Sequence, residues 1–533
     1  MSATVNAPQG SFFGHPKGLS TLFFTEMWER FSFYGLRPLL VLFMSAAIIN
    51  GGWGWDGGEA SAIVGIYASF VYLASLPGGW VADKWLGLRK ATLYGGALIS
   101  LGHITIGASA FTSSKVPFFL GLVFIVLGTG LLKPNISAMV GDLYPEGGAR
   151  KDAGFSIFYM GINLGAFIGQ LITGFLGEKI GWHWGFTAAG FAMILGLVQF
   201  WRMAPKTLGD IGVEPTRNPD PALQTRQESM VKVSTIIGLA ILALVFGLIA
   251  TGTIPFNAEK FGLYYAYVLA GLGFVYFAYL LAFGGLNGDE KKRILVIAVL
   301  FVFAAIFWSA FEQTPTALNI FARDFTDRTL GGMLSEANSI PATWFQSVNS
   351  AWIILLAPVI AALWTFLGSK RVNLSSPVKF AIGLGFSAIA FVVMLFASYI
   401  VVGDGASSAT KVSSLWLVTF YLFLTLGELF VSPVGLSSMT TLSPKRYVGQ
   451  MMGIWFLASS LGNLIGGLVG GMVDQENLSA MPRLFTLTTG FLGGAALVLL
   501  ILSVPIARMM RGREVDADSG ESEAEVAVKS EVE

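Results

Sequence analysis

The sequence contains no cysteine and few charged residues, and both shortages limit what the protein can be. Without cysteine there can be no disulfide, no thiol catalysis and no thiolate metal site. Asp, Glu, Lys and Arg together make up 12% of the 533 residues, about half the share in a soluble globular protein. The net charge of +1 gives no argument for nucleic-acid binding. Apolar residues are abundant instead, at 54% of the chain.

The apolar residues form runs long enough to cross a bilayer, which takes about 20 residues each. We therefore predict an all-α polytopic membrane protein whose partner is the lipid bilayer. The predicted spans are 19–49, 60–82, 91–111, 117–140, 154–177, 183–203, 233–254, 262–284, 294–316, 345–368, 378–402, 413–438, 449–473 and 484–509. These are fourteen transmembrane helices.

Basic residues predict how the chain is oriented in the membrane. With the N-terminus in the cytoplasm, 23 Lys and Arg residues lie in cytoplasmic segments and 7 in outer segments. This bias follows the positive-inside rule and places both termini in the cytoplasm. Residues 1–18 do not resemble a signal peptide, so the first span is expected to direct insertion. The expected location is a bacterial cytoplasmic membrane.

The spans are arranged as six, two and six, which is the plan of the major facilitator superfamily. The predicted domains are an N-terminal six-helix bundle (1–206), a cytoplasmic linker with two inserted helices (207–290), a C-terminal six-helix bundle (291–513) and a disordered acidic tail (514–533). The loop Gly78–Lys90 resembles the loop that follows the second span in that superfamily. There Asp83 is expected to form ion pairs with Arg89 and Lys90.

The first span carries charges at a depth where lipid would be expected. At about 100° per residue, one stripe of this helix holds Glu26, Glu29, Arg30, Phe33, Tyr34 and Arg37. Buried charges in a span usually face a protein interior or a water-filled path. Two interpretations are open: ion pairs that only hold helices together, or a site for protons and substrate.

Three further ionisable residues lie deep in other spans, and they are Lys133, Glu312 and Glu428. Because buried charges must be paired or neutralised, near-equal numbers of acids and bases suggest one shared cavity. Separate local pairing is the alternative. None of the three histidines is well placed to carry protons, so carboxylates are expected to do so.

Other kinds of chemistry have no support in the sequence. It has no metal-ligand cluster, no Ser/His/Asp grouping and no phosphate-binding loop. We therefore expect a protein that is not an enzyme and uses no cofactor and no metal. A channel and a ligand sensor remain alternatives of another class.

Several motifs along the chain resemble those of the proton-dependent oligopeptide transporter family, bacterial type. They are Glu26-Met-Trp-Glu29-Arg30-Phe31 in the first span, Lys133-Pro-Asn-Ile-Ser, Phe158-Tyr-Met-Gly-Ile-Asn163, Phe307-Trp308-x-x-Phe311-Glu312-Gln313, and Gly427-Glu428 followed by Ser432-Pro433. They span nearly the whole chain.

The resemblance implies a symporter that imports di- and tripeptides together with protons, and it implies a role for each motif residue. Glu26, Glu29, Arg30 and Glu312 would couple protons. Arg37 would pair with Glu312, and Lys133 with Glu428. The peptide carboxylate would meet Arg37, Lys133 and Tyr34, and the amino group would meet Glu428, Asn163 and Asn349. The implied substrate-binding set also includes Tyr72, Trp308, Ser432 and Trp455, and Phe311 would help to shape a pocket or gate.

One departure from the family pattern is Phe33, which stands where many members have tyrosine. One hydroxyl is therefore missing, and peptide preference is expected to differ. The alternative within transport is a proton-coupled carrier of a non-peptide anion or an amphiphilic drug. The protein is expected to act as a monomer.

Overall fold

A computed structural model describes residues 11–510, apart from 218, 371, 373, 404–409 and 474–476. The acidic tail predicted at 514–533 lies outside these residues. The helices are α1 (Gly18–Ser45), α2 (Gly57–Val81), α3 (Leu88–Ala108), α4 (Val116–Asp142), α5 (Gly148–Phe175), α6 (Trp182–Thr207), α7 (Pro221–Ala250), α8 (Ala258–Phe283), α9 (Gly288–Phe311), α10 (Ala317–Asp324), α11 (Trp344–Ser369), α12 (Ser376–Val402), α13 (Leu415–Thr441), α14 (Val448–Val469) and α15 (Ala480–Met510).

The long helices confirm the all-helical membrane architecture. Within the described ranges, thirteen helices are long and apolar enough to cross a membrane. The first helix, α1, is 28 residues long and carries the four charged residues described above. With α1 the number of long helices equals the predicted fourteen. In a bilayer the helix satisfies every backbone hydrogen bond within its own segment, which is why apolar runs of this length fold in this way.

Outside the long helices, the elements of secondary structure are short. Two antiparallel strands, β1 (Ser11–Phe12) and β2 (His15–Pro16), precede α1. Two parallel strands, β3 (Thr326–Asp327) and β4 (Val412–Ser413), pair in the last third of the chain. Single π-helical turns extend α2 through Ala82–Leu86 and α5 through Leu176–Ile180.

The helices pack as two sets with contacts between them. In the first set α1 packs on α5 and α6, and α4 packs on α2 and α3. In the last set α12 packs on α13 and α15, and α14 packs on α9. The sets meet where α2 contacts α14 and where α5 contacts α11. The division into domains at 206, 290 and 513 stays a prediction.

We name the two faces of the molecule by the ends of α1. The termini side is where α1 begins, and there Thr21 Oγ1 lies 2.8 Å from Thr207 Oγ1 at the end of α6. The far side is where α1 ends, and there Arg323 Nη1 donates to Ser45 Oγ over 2.7 Å. On the far side α2 and α14 lie close together, because a Cβ added to Gly65 would lie 2.8 Å from the Cα of Gly467.

The segment between the two sets differs from the prediction. Helix α7 begins at Pro221, so the part of the predicted linker from 221 to 232 is helical. Asp220 caps this helix, since its Oδ1 accepts the backbone N–H of Ala222 over 2.8 Å. An Asp followed by Pro is the usual start of a helix, and that signal outweighs the polar composition of the segment.

The first part of the same linker is bound to the start of α3. Arg89 Nη2 donates to the carbonyls of Gly209 over 2.6 Å and Ile211 over 3.0 Å. Among the described residues no ion pair joins Asp83 to Arg89 or Lys90, so that expectation was wrong. The reason is that the guanidinium finds two backbone carbonyls of the returning chain instead.

Candidate functional site

The charged stripe of α1 is buried, as the sequence predicts. Glu26 and Glu29 are 1% and 0% exposed, and Arg30 is 3% exposed. The Nε of Arg30 lies 2.6 Å from Glu26 Oε1 and 3.0 Å from Glu29 Oε2. The Arg30 guanidinium therefore forms ion pairs with two carboxylates on the same helix face. The contact between Arg30 and Glu29 is an ion pair without hydrogen-bond geometry. Glu26 Oε2 and both oxygens of Glu29 therefore have no hydrogen-bond partner.

Phe33 separates this cluster from the next arginine. Its ring centroid lies 5.7 Å from the guanidinium carbon of Arg30 and 5.3 Å from that of Arg37. Both distances allow cation–π attraction. Phe33, which departs from the family pattern, thus contacts both arginines of the stripe through an aromatic ring that has no hydroxyl.

Arg37 forms an ion pair with Glu312, as the family resemblance implied. Arg37 Nη2 donates to Glu312 Oε2, and also to Asn463 Oδ1 over 3.2 Å. Glu312 follows the last residue of α9, and Pro315 comes three residues later. Proline lacks a backbone N–H donor and disfavours a helical conformation in the residue before it, and α9 ends just before the carboxylate that meets α1. The pair joins the first set of helices to the last.

Glu428 lies in the middle of α13 and is bound by an amide. Asn349 Nδ2 donates to Glu428 Oε2 over 3.0 Å and to Thr425 Oγ1 over 3.0 Å. Asn349 belongs to α11, which is in the same set as α13. Among the described residues, the hydrogen bond to this carboxylate comes from Asn349 and none comes from the first six helices.

A cavity of about 120 Å³ lies between the two sets of helices, and its lining includes Arg37, Glu312, Asn349 and Glu428. Its lining holds one cation, two carboxylates, amides and aromatic rings. The lining residues are Tyr34, Arg37, Pro38, Tyr72, Tyr159, Ile162, Asn163, Ala166, Gln170, Trp308, Phe311, Glu312, Thr314, Pro315, Gln346, Asn349, Ser350, Ile353, Tyr421 and Glu428. Three buried atoms in this lining, Arg37 Nε, Trp308 Nε1 and Gln170 Oε1, have no hydrogen-bond partner.

Eight of the fourteen predicted site residues line this cavity. They are Tyr34, Arg37, Tyr72, Asn163, Trp308, Glu312, Asn349 and Glu428. The cluster of Glu26, Glu29 and Arg30 lies next to it on α1 and does not line it. The single chamber expected from the sequence is therefore a cavity with an adjacent buried ion cluster.

Lys133 does not form the ion pair that the resemblance implied. In the part of the chain that the structure describes, no ion pair joins Lys133 to Glu428. The Lys133 ammonium instead lies 4.0 Å from the ring centroid of Tyr72, on the neighbouring helix α2. The reason is that Glu428 is held by Asn349 of its own set, while α4 packs against α2. Lys133 thus contacts the cavity lining at the ring of Tyr72.

Ser432 and Trp455 do not line the cavity. Trp455 is 4% exposed, and its ring packs on α13, where a Cβ added to Gly435 would lie 2.2 Å from it. Ser432 Oγ is buried and makes no hydrogen bond.

Several lining residues were not predicted, although their spacing carried a signal. Gln170 follows Asn163 by seven residues on α5, and Gln346 and Ser350 flank Asn349 on α11 by three and one. Spacings of three, four and seven place residues on one helix face. Polar residues at these spacings in an apolar span therefore indicate which face of the helix lines the cavity. Tyr159 precedes Asn163 by four residues on α5, and Tyr421 precedes Glu428 by seven on α13, so both tyrosines carried the same signal.

No group of three His, Asp or Glu side chains suited to hold a metal occurs within the described ranges. The lining offers ionic groups, amides and hydroxyls rather than a nucleophile with an adjacent base. The arrangement is suited to bind a small polar molecule that carries both a negative and a positive group.

Comparison with known proteins gives consistent matches over most of the chain. The sequence profile of the POT family matches residues 89–206 and 276–484. The peptide transporter YePEPT of Yersinia enterocolitica is 47% identical over 519 residues, covering 96% of this chain and 99% of that protein. A di-/tripeptide transporter of Lactococcus lactis is 36% identical, covering 95% of this chain and 99% of that protein.

Solved structures support the same family assignment. The crystal structure of the peptide transporter POT in complex with sulfate has a TM-score of 0.84 at 38% identity, covering 95% of this chain and 98% of that one. A POT family transporter in complex with 5-aminolevulinic acid has a TM-score of 0.82 at 34% identity, covering 94% and 99%. The fold is therefore that of the major facilitator superfamily, and this chain, a multi-pass membrane protein, belongs to the POT family of transporters.

Proposed function

We propose that the protein is a symporter that imports di- and tripeptides together with protons by alternating access. The observation that carries this proposal is the cavity in which Arg37, Glu312 and Glu428 meet between the two sets of helices. A short peptide is a zwitterion, and it needs a cation for its carboxylate and an anion for its amino group. Contacts to the peptide ends alone leave its side chains loosely specified, which suits promiscuous transport.

We assign the peptide carboxylate to Arg37, with Tyr34 beside it. The amino group is assigned to Glu428, with Asn349 and Asn163. Lys133 acts at long range through its position against Tyr72. Tyr72 and Trp308 contribute aromatic surface for side chains, and Trp308 also offers an indole N–H that has no hydrogen-bond partner.

Proton coupling follows from competition for Arg37. Glu312 is buried and bound to Arg37. When a peptide carboxylate binds the guanidinium, Glu312 loses its counter-ion, and a buried carboxylate without a cation favours its protonated form. The proton thereby enters with the peptide. The Glu26, Glu29 and Arg30 cluster supplies a second site for protons beside the cavity.

The relatives support peptides as the substrate class. YePEPT is named a peptide transporter, and the Lactococcus protein a di-/tripeptide transporter. One solved POT transporter was crystallised with alafosfalin and another with 5-aminolevulinic acid. The bias of basic residues supports a cytoplasmic termini side in a bacterial inner membrane. We propose a monomer, since the cavity is built within one chain.

The test is uptake of a labelled dipeptide into proteoliposomes with and without an inward proton gradient. We expect accumulation that requires the gradient, saturates with peptide and is blocked by unlabelled di- and tripeptides. Uptake that ignores the gradient would contradict proton coupling. Failure of dipeptides to compete for binding would favour the alternative carrier of a non-peptide anion or drug. Uptake that never saturates would indicate a channel.

A further inference from the structure

Glu178 lies on the far side, in the π-helical turn that follows α5, and it bonds to the start of α11. Its Oε1 accepts the backbone N–H of Thr343 over 2.9 Å and the hydroxyl of Thr343 over 2.8 Å. Its Oε2 accepts the backbone N–H of Ala342 over 2.8 Å. Arg328 Nη1 lies 3.4 Å from the same oxygen. The carboxylate side chain is only 9% exposed.

Helix α11 has no cap of its own. Its N-cap residue, Thr343, makes no side-chain bond to the N–H groups of the first turn. The N–H groups of Trp344, Phe345 and Gln346 in the first turn donate instead to the carbonyls of Pro341, Ala342 and Thr343. Glu178 binds the two N–H groups just before that turn, where the positive end of the helix dipole favours a carboxylate. This carboxylate comes from the other set of helices, because Glu178 extends α5 and α11 belongs to the last six long helices.

Neighbouring contacts make this a close and extended junction. A Cβ added to Gly174 would lie 2.0 Å from Thr343 Oγ1, so α5 and the start of α11 touch. Trp344 Nε1 donates to the carbonyl of Leu171 over 2.8 Å. Lys179 Nζ donates to the carbonyl of Ala337 over 3.1 Å. The far side cannot open between α5 and α11 while these bonds persist.

The same two helices line the cavity. Asn163 and Gln170 lie on α5, and Gln346, Asn349 and Ser350 lie on α11. We propose that Glu178 is a positioning residue for transport: its carboxylate binds the backbone just before α11, across the two sets of helices, and holds the far side closed. It does not touch the substrate. This inference rests on the proposed alternating-access function, in which the far side must open and close once per cycle.

The test uses a thiol reporter placed away from Glu178. The chain has no cysteine, so Ser61→Cys supplies a single reactive group. Ser61 is fully buried on α2, against the far-side end of α14, where a Cβ added to Gly470 would lie 2.7 Å from Ser61 Cβ. A thiol at this position becomes reactive when the two sets of helices separate. A purely local change at Glu178 leaves it covered.

The full chain carrying Ser61→Cys is compared with the same chain carrying Glu178→Gln, using maleimide labelling in detergent without peptide. In the variant one acceptor oxygen becomes an NH2 that faces N–H donors. We expect the labelling rate to rise about tenfold, the factor that corresponds to one lost charge-assisted hydrogen bond. The matched control is Glu336→Gln, which removes a carboxylate that is 80% exposed and should leave the rate unchanged.

An unchanged labelling rate in Glu178→Gln, or an equal rise in the Glu336 control, overturns the proposal. Glu178→Ala is a second variant, and folding of each is checked by size-exclusion profile and thermal unfolding. If Glu178→Ala fails to fold, the Gln variant alone decides. Labelling requires no transport, so failure of this inference and failure of the proposed peptide function are separate outcomes.

Discussion

Arg37 on α1 and Glu312 at the end of α9 form a buried ion pair 275 residues apart in sequence. The pair joins the first set of helices to the last at the wall of the cavity. Burial of two opposite charges stabilises a structure only when both partners remain. A substrate that competes for one partner therefore changes the stability of the closed arrangement, which links binding to conformation.

The first prediction concerns Glu312→Gln. This variant keeps the shape of the side chain but cannot give up a proton to the cytoplasm. We expect uptake driven by a proton gradient to fall at least about tenfold, and a tenfold change corresponds to the loss of roughly 1.4 kcal/mol. Exchange of labelled for unlabelled dipeptide across the liposome membrane, without a gradient, is expected to persist. An equal loss of both activities would mean that the pair is only structural.

The second prediction concerns Glu428→Gln and recognition of the amino group. Hydrogen bonds to a charged group contribute about 1.5–3 kcal/mol, so the concentration of dipeptide for half-maximal uptake should rise roughly tenfold or more. The unchanged protein should prefer a free dipeptide over its N-acetylated form, and the variant should lose most of this preference. Competition by the two peptides measures it. The control is Glu146→Gln, an exposed carboxylate. A preference retained in Glu428→Gln would show that the amino group binds elsewhere.

The third prediction concerns Gly467→Ala, at the far-side contact of α2 and α14. The new methyl would lie 2.5 Å from the Cα of Gly65, which requires the helices to move apart. Overpacking of this kind costs about 1–3 kcal/mol. We expect a lower thermal unfolding temperature and slower peptide uptake. The control is Gly494→Ala on α15, where an added Cβ has no neighbour within 4 Å. Equal behaviour of the two variants would contradict the close contact.

The fourth prediction concerns Arg89→Ala and the linker that follows α6. Loss of the guanidinium bonds to the Gly209 and Ile211 carbonyls should loosen this segment from the start of α3. Trypsin should then cleave after Arg217 several-fold faster, because a released backbone fits a protease more easily. Gel analysis of timed digests measures the rate. Lys90→Ala removes a neighbouring exposed cation as the control, and equal acceleration in both would refute the anchoring role of Arg89.

The part of the site that lies on α1 could be predicted from the sequence, because its residues share one helix face. The stripe from Glu26 to Arg37 follows from helix periodicity alone, and all four of its charged residues are buried. The pairing of Arg37 with Glu312 came from family resemblance. The pairing of Lys133 with Glu428 came from the same source and was wrong, since Lys133 contacts Tyr72 and Glu428 is bound by Asn349.

The sequence by itself determined the membrane class, the number of long helices and the charged stripe. These depend on the length of apolar runs and on the 3.6-residue period, which are properties of neighbouring residues. Only the tertiary structure decided which charge meets which, that Gln170 and Gln346 share a cavity, and that Glu178 binds the backbone just before α11. Those contacts join helices far apart in the chain, and no local pattern specifies which helices pack together.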